Sequence, residues 1–401
     1  MSGRRLVAVD LGSQRVRCAI AEDEGARLKV LGVGEVDSKG VSRGVIADPD
    51  QAVSALSKAL DAAERAAGME VEAALLSLGG RHVRSQPSQA AVTVASRSGA
   101  VSGSDLNRVL EAARDLPGEE GTEVVHLIPR WYSVDENQRL RDPRGVAGSR
   151  LAVDCELVLA AVAHLEALVE CAHSAGLRVD DLVVQPLAAA EGVVRDAELE
   201  ESVAVVDVGA GTTDIATFWH GTLEGIRVLP VGGQHVTSDL AVGLRCGEAE
   251  AESLKRRHGH CDPARVLPEE LVRVVGPSGV GADEVSRRVL AEIIEPRARE
   301  IVRLIGQALE GPHAPAKVVL TGGGSCLRGF PEAVHQLLEI PVRVALPEGL
   351  TGLSDQLGMP EHATIAGLLR WGQRSGARRD HSSPRAERSS GRLNRWLHEL
   401  F

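Results

Sequence analysis

The sequence predicts an α/β protein of two related halves facing each other across a cleft, and three observations carry that expectation. Residues 6–20, LVAVDLGSQRVRCAI, are echoed by residues 203–217, VAVVDVGAGTTDIAT, so that Asp10 and Asp207 align 197 positions apart. Each copy is an apolar run ending in Asp, a Gly-containing turn and a second alternating run, the pattern of a β-hairpin with a carboxylate at its turn. Finally, 401 residues with 43% hydrophobic and 25% charged side chains suit a globular chain of several packed units. Two α/β units of one design bury their sheets separately and leave a cleft where they meet.

A further strand-like segment follows each hairpin, Arg27–Gly34 in the first half and Gly221–Val231 in the second. In the first half an amphipathic helix comes next, with Asp48 as N-cap, Pro49 at N1, Val53, Leu56 and Leu60 on one face, and Gly68 as C-cap. Near the end of the chain, Lys317-Val-Val-Leu-Thr321 is a short buried strand running into Gly322, Gly323, Gly324 and Ser325. Three glycines after a strand let a base or ribose approach the backbone; a plain flexible loop is the alternative. A long apolar-periodic helix is expected over Asp283–Leu309, with Pro296 kinking or adjusting it.

The chemistry this pattern allows is the binding of nucleotide phosphates. Glycines in a tight turn bring backbone N–H groups to phosphate oxygens, and Ser or Thr hydroxyls add donors. One Asp from each half can hold a hydrated Mg²⁺ between them. Taken singly, Gly209-Ala-Gly211-Thr212-Thr213-Asp214 fits a structural hairpin turn as well as a phosphate loop. Its pairing with Asp10-Leu-Gly12-Ser13 favours the phosphate loop, although the chain has neither Gly-Lys-Ser/Thr nor GxGxxG.

Charge and cysteines narrow the class. Of 45 basic residues 40 are Arg, a skew that reflects composition more than function, and the net charge of −11 argues against a nucleic-acid footprint. From Arg374 onward seven Arg stand against Asp380, Glu387 and Glu399, so the end is +4 and the rest −15. The apolar run before Asp10 is too short for a secretory signal, and the longest apolar run, Leu157–Ala163, is far below the ~20 residues of a spanning helix. Six Cys without any CxxC read as reduced, cytoplasmic thiols. His258-Gly-His260-Cys261 lacks a second ligand pair and reads as an exposed loop, not a metal site.

Two phosphate hairpins followed by a strand–Gly-Gly-Gly loop, in that order, resemble the actin, heat-shock chaperone and sugar kinase ATPase superfamily. Within it the chain resembles the FtsA family of bacterial cell-division proteins over most of its length. The more specific segments are His126-Leu-Ile-Pro129-Arg-Trp-Tyr132 with Asp142-Pro143-Arg-Gly145, then Val231-Gly-Gly-Gln-His-Val-Thr237, Ala249–Gly259, and Glu295-Pro296-Arg297. The resemblance implies an actin-like ATPase fold, two lobes with duplicated βββαβα cores, an inserted FtsA-type subdomain 1C and a C-terminal amphipathic helix. It implies subdomain 1A over 1–81, with 162–198 and 359–371 returning to it, and 1C over 82–161. Subdomain 2A would take 199–236 and 317–358, and 2B would take 237–316.

Site roles follow the same resemblance. Asp10, Gly12, Ser13 and Arg15 would form the first phosphate loop, and Asp207, Gly209, Gly211, Thr212 and Thr213 the second. Asp10 and Asp207 would hold Mg²⁺ through water. Glu252 and Lys255, one helical turn apart, would flank ribose and adenine of ATP; a solvated ion pair is the other reading. Gly322, Gly323, Gly324 and Ser325 would close over the adenosine. Gln185, in the connection Val183–Glu191, is the candidate for positioning the attacking water, and a neutral amide is a poor general base. The implied partners are the tubulin-like polymer FtsZ, whose C-terminal tail would dock on 2B, other division proteins, and further copies of the chain in actin-like filaments. A sugar-kinase-like phosphotransferase, a pilus-assembly ATPase and a chaperone are the rivals.

Residues 372–391 are polar, rich in Gly, Ser and Arg, and read as a disordered linker. Residues 392–401 change character: at 100° per residue Leu393, Trp396, Leu397, Leu400 and Phe401 share an arc of about 140°, with Arg392 and Arg395 outside it. That is the pattern of an interfacial helix meeting anionic lipid, with docking on the protein's own body or on a partner groove as the alternative. A ten-residue helix is marginal alone, so stable attachment calls for several copies. The expected location is the cytoplasmic face of the membrane at the division septum.

Overall fold

A computed structural model describes residues 3–96, 99–115, 120–136, 139–276 and 282–381. The first sheet begins with an apolar hairpin, β1 (Arg4–Leu11) and β2 (Arg15–Asp23), continued by β3 (Leu28–Asp37). Helix α1 (Pro49–Ala67) follows, capped by Asp48, which accepts from Gln51 N–H, and closed by the left-handed Gly68. Its face of Ala52, Ala55, Leu56, Ala59, Leu60 and Ala63 is buried in the first core. Strand β4 (Ala73–Leu78) then leads into the inserted unit, made of β5 (Arg84–Thr93), α2 (Gly103–Arg114), β6 (Thr122–Val134) and β7 (Arg150–Ala161). The chain returns through α3 (Val162–Ser174), β8 (Arg178–Val184) and α4 (Gln185–Val193).

The second lobe repeats the scheme with β9 (Ser202–Val208), β10 (Thr213–Trp219) and β11 (Thr222–Leu229), then α5 (Gly233–Leu244) and α6 (Glu248–His258). A small hairpin of β12 (Leu271–Val275) and β13 (Ala282–Ser286) precedes α7 (Arg287–Ala308), followed by β14 (Lys317–Thr321), α8 (Phe330–Leu338) and β15 (Val342–Val344). Strand β16 (Leu350–Gly352) and α9 (Ala363–His381) return to the first lobe.

The repeat shows in the sheets. The first runs β8-β4-β1-β2-β3-β16 and the second β11-β10-β9-β14-β15, so both place the hairpin strand that carries the Asp beside a parallel strand. Register repeats as well: Asp10 pairs with Arg17 and Asp207 with Asp214, each seven residues on. The inserted sheet, ordered β5-β7-β6, has its own core of Val109, Tyr132, Leu151, Val153 and Leu157 under α2.

Three expectations are corrected. The helix expected over Asp283–Leu309 begins only at Arg287, because Ala282–Ser286 pairs with Leu271–Val275 and Ser286 then caps the helix; it runs on through Pro296. The segment 258–262 is packed, not an exposed loop: Cys261 is buried and its N–H donates to Arg328 O at 2.8 Å. The linker does not begin at 372, since α9 continues to His381. Its polar residues have partners composition could not reveal: Gln373 Nε2 donates to Asp23 Oδ1 at 2.7 Å, and Arg374 pairs with Glu191 and Asp196. Leu393, Arg395, Trp396, Leu397, Leu400 and Phe401 lie outside the described residues.

Candidate functional site

The ends of the two repeated hairpins meet in a cleft between the lobes. Each turn is closed in the same way, Gly12 N–H donating to Arg15 O at 3.1 Å and Gly209 N–H to Thr212 O at 2.9 Å. The turns approach closely: a side chain on Gly211 would meet Ser13 Oγ at 2.7 Å, so a larger residue would force them apart. Ser13 Oγ accepts from Gly44 N–H at 3.1 Å, which leaves its own proton free to donate into the cleft.

Asp10 and Asp207 end β1 and β9 and are both buried. Asp10 Oδ1 accepts from Ser77 Oγ at 2.7 Å and from Gln185 Nε2 at 3.2 Å, so Gln185, the first residue of α4, is aimed at the first hairpin's carboxylate. Asp207 Oδ2 accepts from Thr364 Oγ1 at 3.0 Å, a bond from α9 of the first lobe to the second. The left-handed Gly322, φ 79°, packs against Asp207 so tightly that any Cβ there would collide with its Oδ1. Asp214, across the ladder from Asp207, is buried too; Thr212 Oγ1 bonds its Oδ2 at 2.9 Å while its Oδ1 has no partner.

This cluster is short of positive charge. Burial pushes the Asp207 carboxyl up to about 6, and Asp10 adds to the rise while the Thr364 hydrogen bond opposes it. Burial first, and then neighbouring Asp207 and Asp10, push Asp214 up to about 8. Arg17, the cation nearest them in the ladder, is tied to Glu35 at 2.6 Å, and Arg15 to Asp37 at 2.8 Å. An orphaned carboxylate oxygen among three buried acids fits a divalent cation held with its water. Among the described residues no group of three or more His, Cys, Asp or Glu is placed to hold a metal ion directly.

Farther along the cleft, α6 contributes Glu252, Lys255 and Arg256. Lys255 Nζ lies 2.6 Å from Glu252 Oε2 and donates to Gly233 O at 3.0 Å and Thr237 Oγ1 at 2.9 Å. The pair is mostly buried, at 13% and 22% exposure, which removes the reading of a solvated surface pair. Gly322, Gly323 and Gly324 line the same cleft, Gly322 and Gly324 packed against Asp207 and Val208 and Gly323 beside Glu361.

Of the residues read from the sequence, Asp10, Gly12, Ser13, Arg15, Gln185, Asp207, Gly209, Gly211, Thr212, Glu252, Lys255 and the three glycines all line the cleft. Thr213 and Ser325 do not: their hydroxyls are used inside the fold, on Val231 O at 2.8 Å and Gly322 O at 2.7 Å. The structure adds Gln14, Arg17, Asp214, Arg256, Glu361 and Thr364. Asp214 had a visible signal, the register position shared with Arg17.

The Asp214 carboxyl sets a pH dependence. Its ordinary value near 3.8 rises to about 8 on folding, so below pH 4 both states are protonated and nothing is lost. As pH climbs from 4 to 8 the unfolded chain ionises first, and the fold loses stability until the folded group also ionises. Asp214→Asn is therefore expected to stabilise the nucleotide-free protein at pH 8 by on the order of 2 to 5 kcal/mol, and to leave it nearly unchanged at pH 4. Chemical denaturation at the two pH values measures the difference.

A cleft between two repeated sheets, floored by paired hairpins, defines the class: this is an actin-like ATPase fold. Two solved structures share it, the PilM-PilN type IV pilus biogenesis complex (TM-score 0.66, 19% identity, covering 92% of this chain and 98% of that one) and MreB5 of Spiroplasma citri bound to ADP (TM-score 0.57, 14% identity, 94% and 99%). The family model for cell division protein FtsA matches residues 204–367, and that for the SHS2 domain inserted in FtsA matches 80–159. Cell division protein FtsA of Pseudomonas aeruginosa is 32% identical over 416 aligned positions, covering 100% of this chain and 99% of the relative. The chain belongs to the FtsA family of cell division proteins.

Proposed function

We propose that this chain is an ATP-binding, actin-like adaptor that anchors FtsZ polymers to the cytoplasmic face of the membrane at the septum, recruits later division proteins and self-associates into protofilaments. The observation that carries the nucleotide part is the pairing of Asp10 and Asp207 at the ends of two repeated hairpins in one cleft. Backbone N–H groups of Ser13, Gln14, Ala210, Gly211 and Thr212 would take the phosphates, with Ser13 adding its hydroxyl. The N–H groups of Gly12 and Gly209 close the turns, and the Thr212 hydroxyl is spent on Asp214. Asp10 and Asp207 would hold Mg²⁺ through its water ligands, and the ion supplies charge neutralisation at the phosphates. Lys255 and Glu252 would take the ribose and adenine, under Gly322–Gly324. Gln185, fixed on Asp10, can orient a water but cannot accept its proton, so hydrolysis is slow at most.

Membrane attachment rests on the C-terminal sequence, where five apolar residues share one arc. Among the described residues no helix is long and apolar enough to cross a membrane. For FtsZ, residues 237–316 offer Val242 and Leu271, 79% and 58% exposed, as apolar anchors for an extended tail. A fluorescent FtsZ C-terminal peptide is expected to bind the protein in an anisotropy titration. The double substitution Val242→Glu, Leu271→Glu should weaken it by about tenfold, roughly 1.4 kcal/mol. No binding to the parent protein would remove FtsZ as the partner.

A further inference from the structure

The inserted unit belongs to the first lobe by chain connection, entering after β4 and leaving into α3, yet it grips the second. Strand β11 is the outer strand of the second sheet, and an outer strand carries a row of backbone groups with no strand partner. Side chains of the inserted sheet bond three of them. Arg130, on β6, donates from Nε to Leu223 O at 2.8 Å and from Nη2 to Glu224 O at 2.5 Å. Ser85 Oγ, on β5, accepts from Ile226 N–H at 2.8 Å. Buried Glu156, on β7, holds the Arg130 fork at 2.7 Å, and Arg141 donates to His220 O just before β11 begins. Leu223 and Ile226 are buried in one cluster with Val125 and Val158 of the inserted sheet, a cluster continuous with the core of the first lobe.

The other end of β11 leads to the cleft. Past Leu229 the chain reaches Val231, whose carbonyl takes the Thr213 hydroxyl, and Gly233, which lines the cleft and accepts from Lys255 Nζ at 3.0 Å. One strand, bonded along its length to β10, joins the gripped residues Leu223–Ile226 to the second hairpin.

We propose that Arg130 latches the inserted unit to the second lobe, so that β11 carries the state of the cleft to the inserted sheet. This rests on the nucleotide reading above. The guanidinium bonds to two adjacent carbonyls are directional and do not survive a displacement of an ångström or more. Glu156, on the neighbouring strand of the same inserted sheet, holds the guanidinium in the aim that both bonds need. When the second lobe turns about the cleft, the inserted unit therefore follows it and shifts against the first lobe. A nucleotide in the cleft thus sets the placement of a surface some distance away.

Hydrogen exchange of segments 84–93 and 122–134 in the full chain, with and without Mg·ATP, tests this alongside calorimetry on the same samples. The parent is expected to bind Mg·ATP and to change exchange in both segments. The double variant Arg130→Met, Glu156→Gln removes the buried ion pair together, so that only the partly exposed Asp154, 3.6 Å from the Arg130 guanidinium, loses a neighbouring cation. It should bind Mg·ATP as the parent does and lose the change. Arg130→Lys, which keeps the charge but not the fork, should lose it too and serves if the double variant does not fold. A change that persists in these variants overturns the latch, and a parent that binds nucleotide with both segments unchanged overturns the coupling. A parent that shows no calorimetric binding overturns the nucleotide reading itself, and the latch with it.

Discussion

Asp207→Ala is expected to abolish Mg²⁺-dependent ATP binding, with a loss in affinity of at least about a hundredfold, some 2.7 kcal/mol, in calorimetry. The side chain stands at the end of β9, buried, held by Thr364 from the first lobe and backed by Gly322. Removing it takes away one of two carboxylates that would hold the ion's water, together with one hydrogen bond between the lobes. The same change relieves the crowding of Asp10, Asp207 and Asp214, whose burial without enough positive charge raises the latter two. The nucleotide-free variant should accordingly be no less stable than the parent near pH 8, which separates loss of the site from loss of the fold. Gln185→Ala makes the useful contrast. It should bind Mg·ATP nearly normally and lose what hydrolysis there is, because its amide touches Asp10 and not the phosphate turns.

Deleting residues 392–401 is expected to abolish pelleting with anionic liposomes while leaving nucleotide binding intact. Burial of apolar side chains supplies roughly 1.5 to 3 kcal/mol each when complete, and Leu393, Trp396, Leu397, Leu400 and Phe401 lie on one arc of the sequence. Arg392 and Arg395 add about 1 kcal/mol apiece against anionic lipid. Single attachments of this size are reversible, and copies joined in a filament add up, so binding should rise steeply with protein concentration. Trp396→Glu should reproduce the deletion. A segment that instead docked on a protein groove would leave lipid binding unchanged in this variant.

Much of the fold was legible because the duplication writes the same residues twice. Asp, Gly and a hydroxyl recur at matching places after matching apolar runs, and hairpin register depends on that local order. What was not legible was decided at long range. Ala282–Ser286 became a strand because Leu271–Val275 lies beside it, although the run into the following helix looks continuous in sequence. The start of the polar end stays helical because Gln373 and Arg374 find Asp23, Glu191 and Asp196 on distant elements. In the site, Thr364 and Glu361 come from a segment with no motif, and only the packing of α9 against α4 and the first hairpin brings them in. Thr213 and Ser325 look like donors in glycine-rich turns, but a hydroxyl next to a backbone carbonyl is taken by the fold first.

Co-sedimentation of FtsZ polymers with anionic liposomes tests the proposed adaptor role most directly. FtsZ should pellet with the vesicles only when this protein is present, more strongly with Mg·ATP than without, and not with the chain lacking 392–401. FtsZ that stays in the supernatant with the full chain and Mg·ATP, or that pellets equally with the truncated chain, would contradict it.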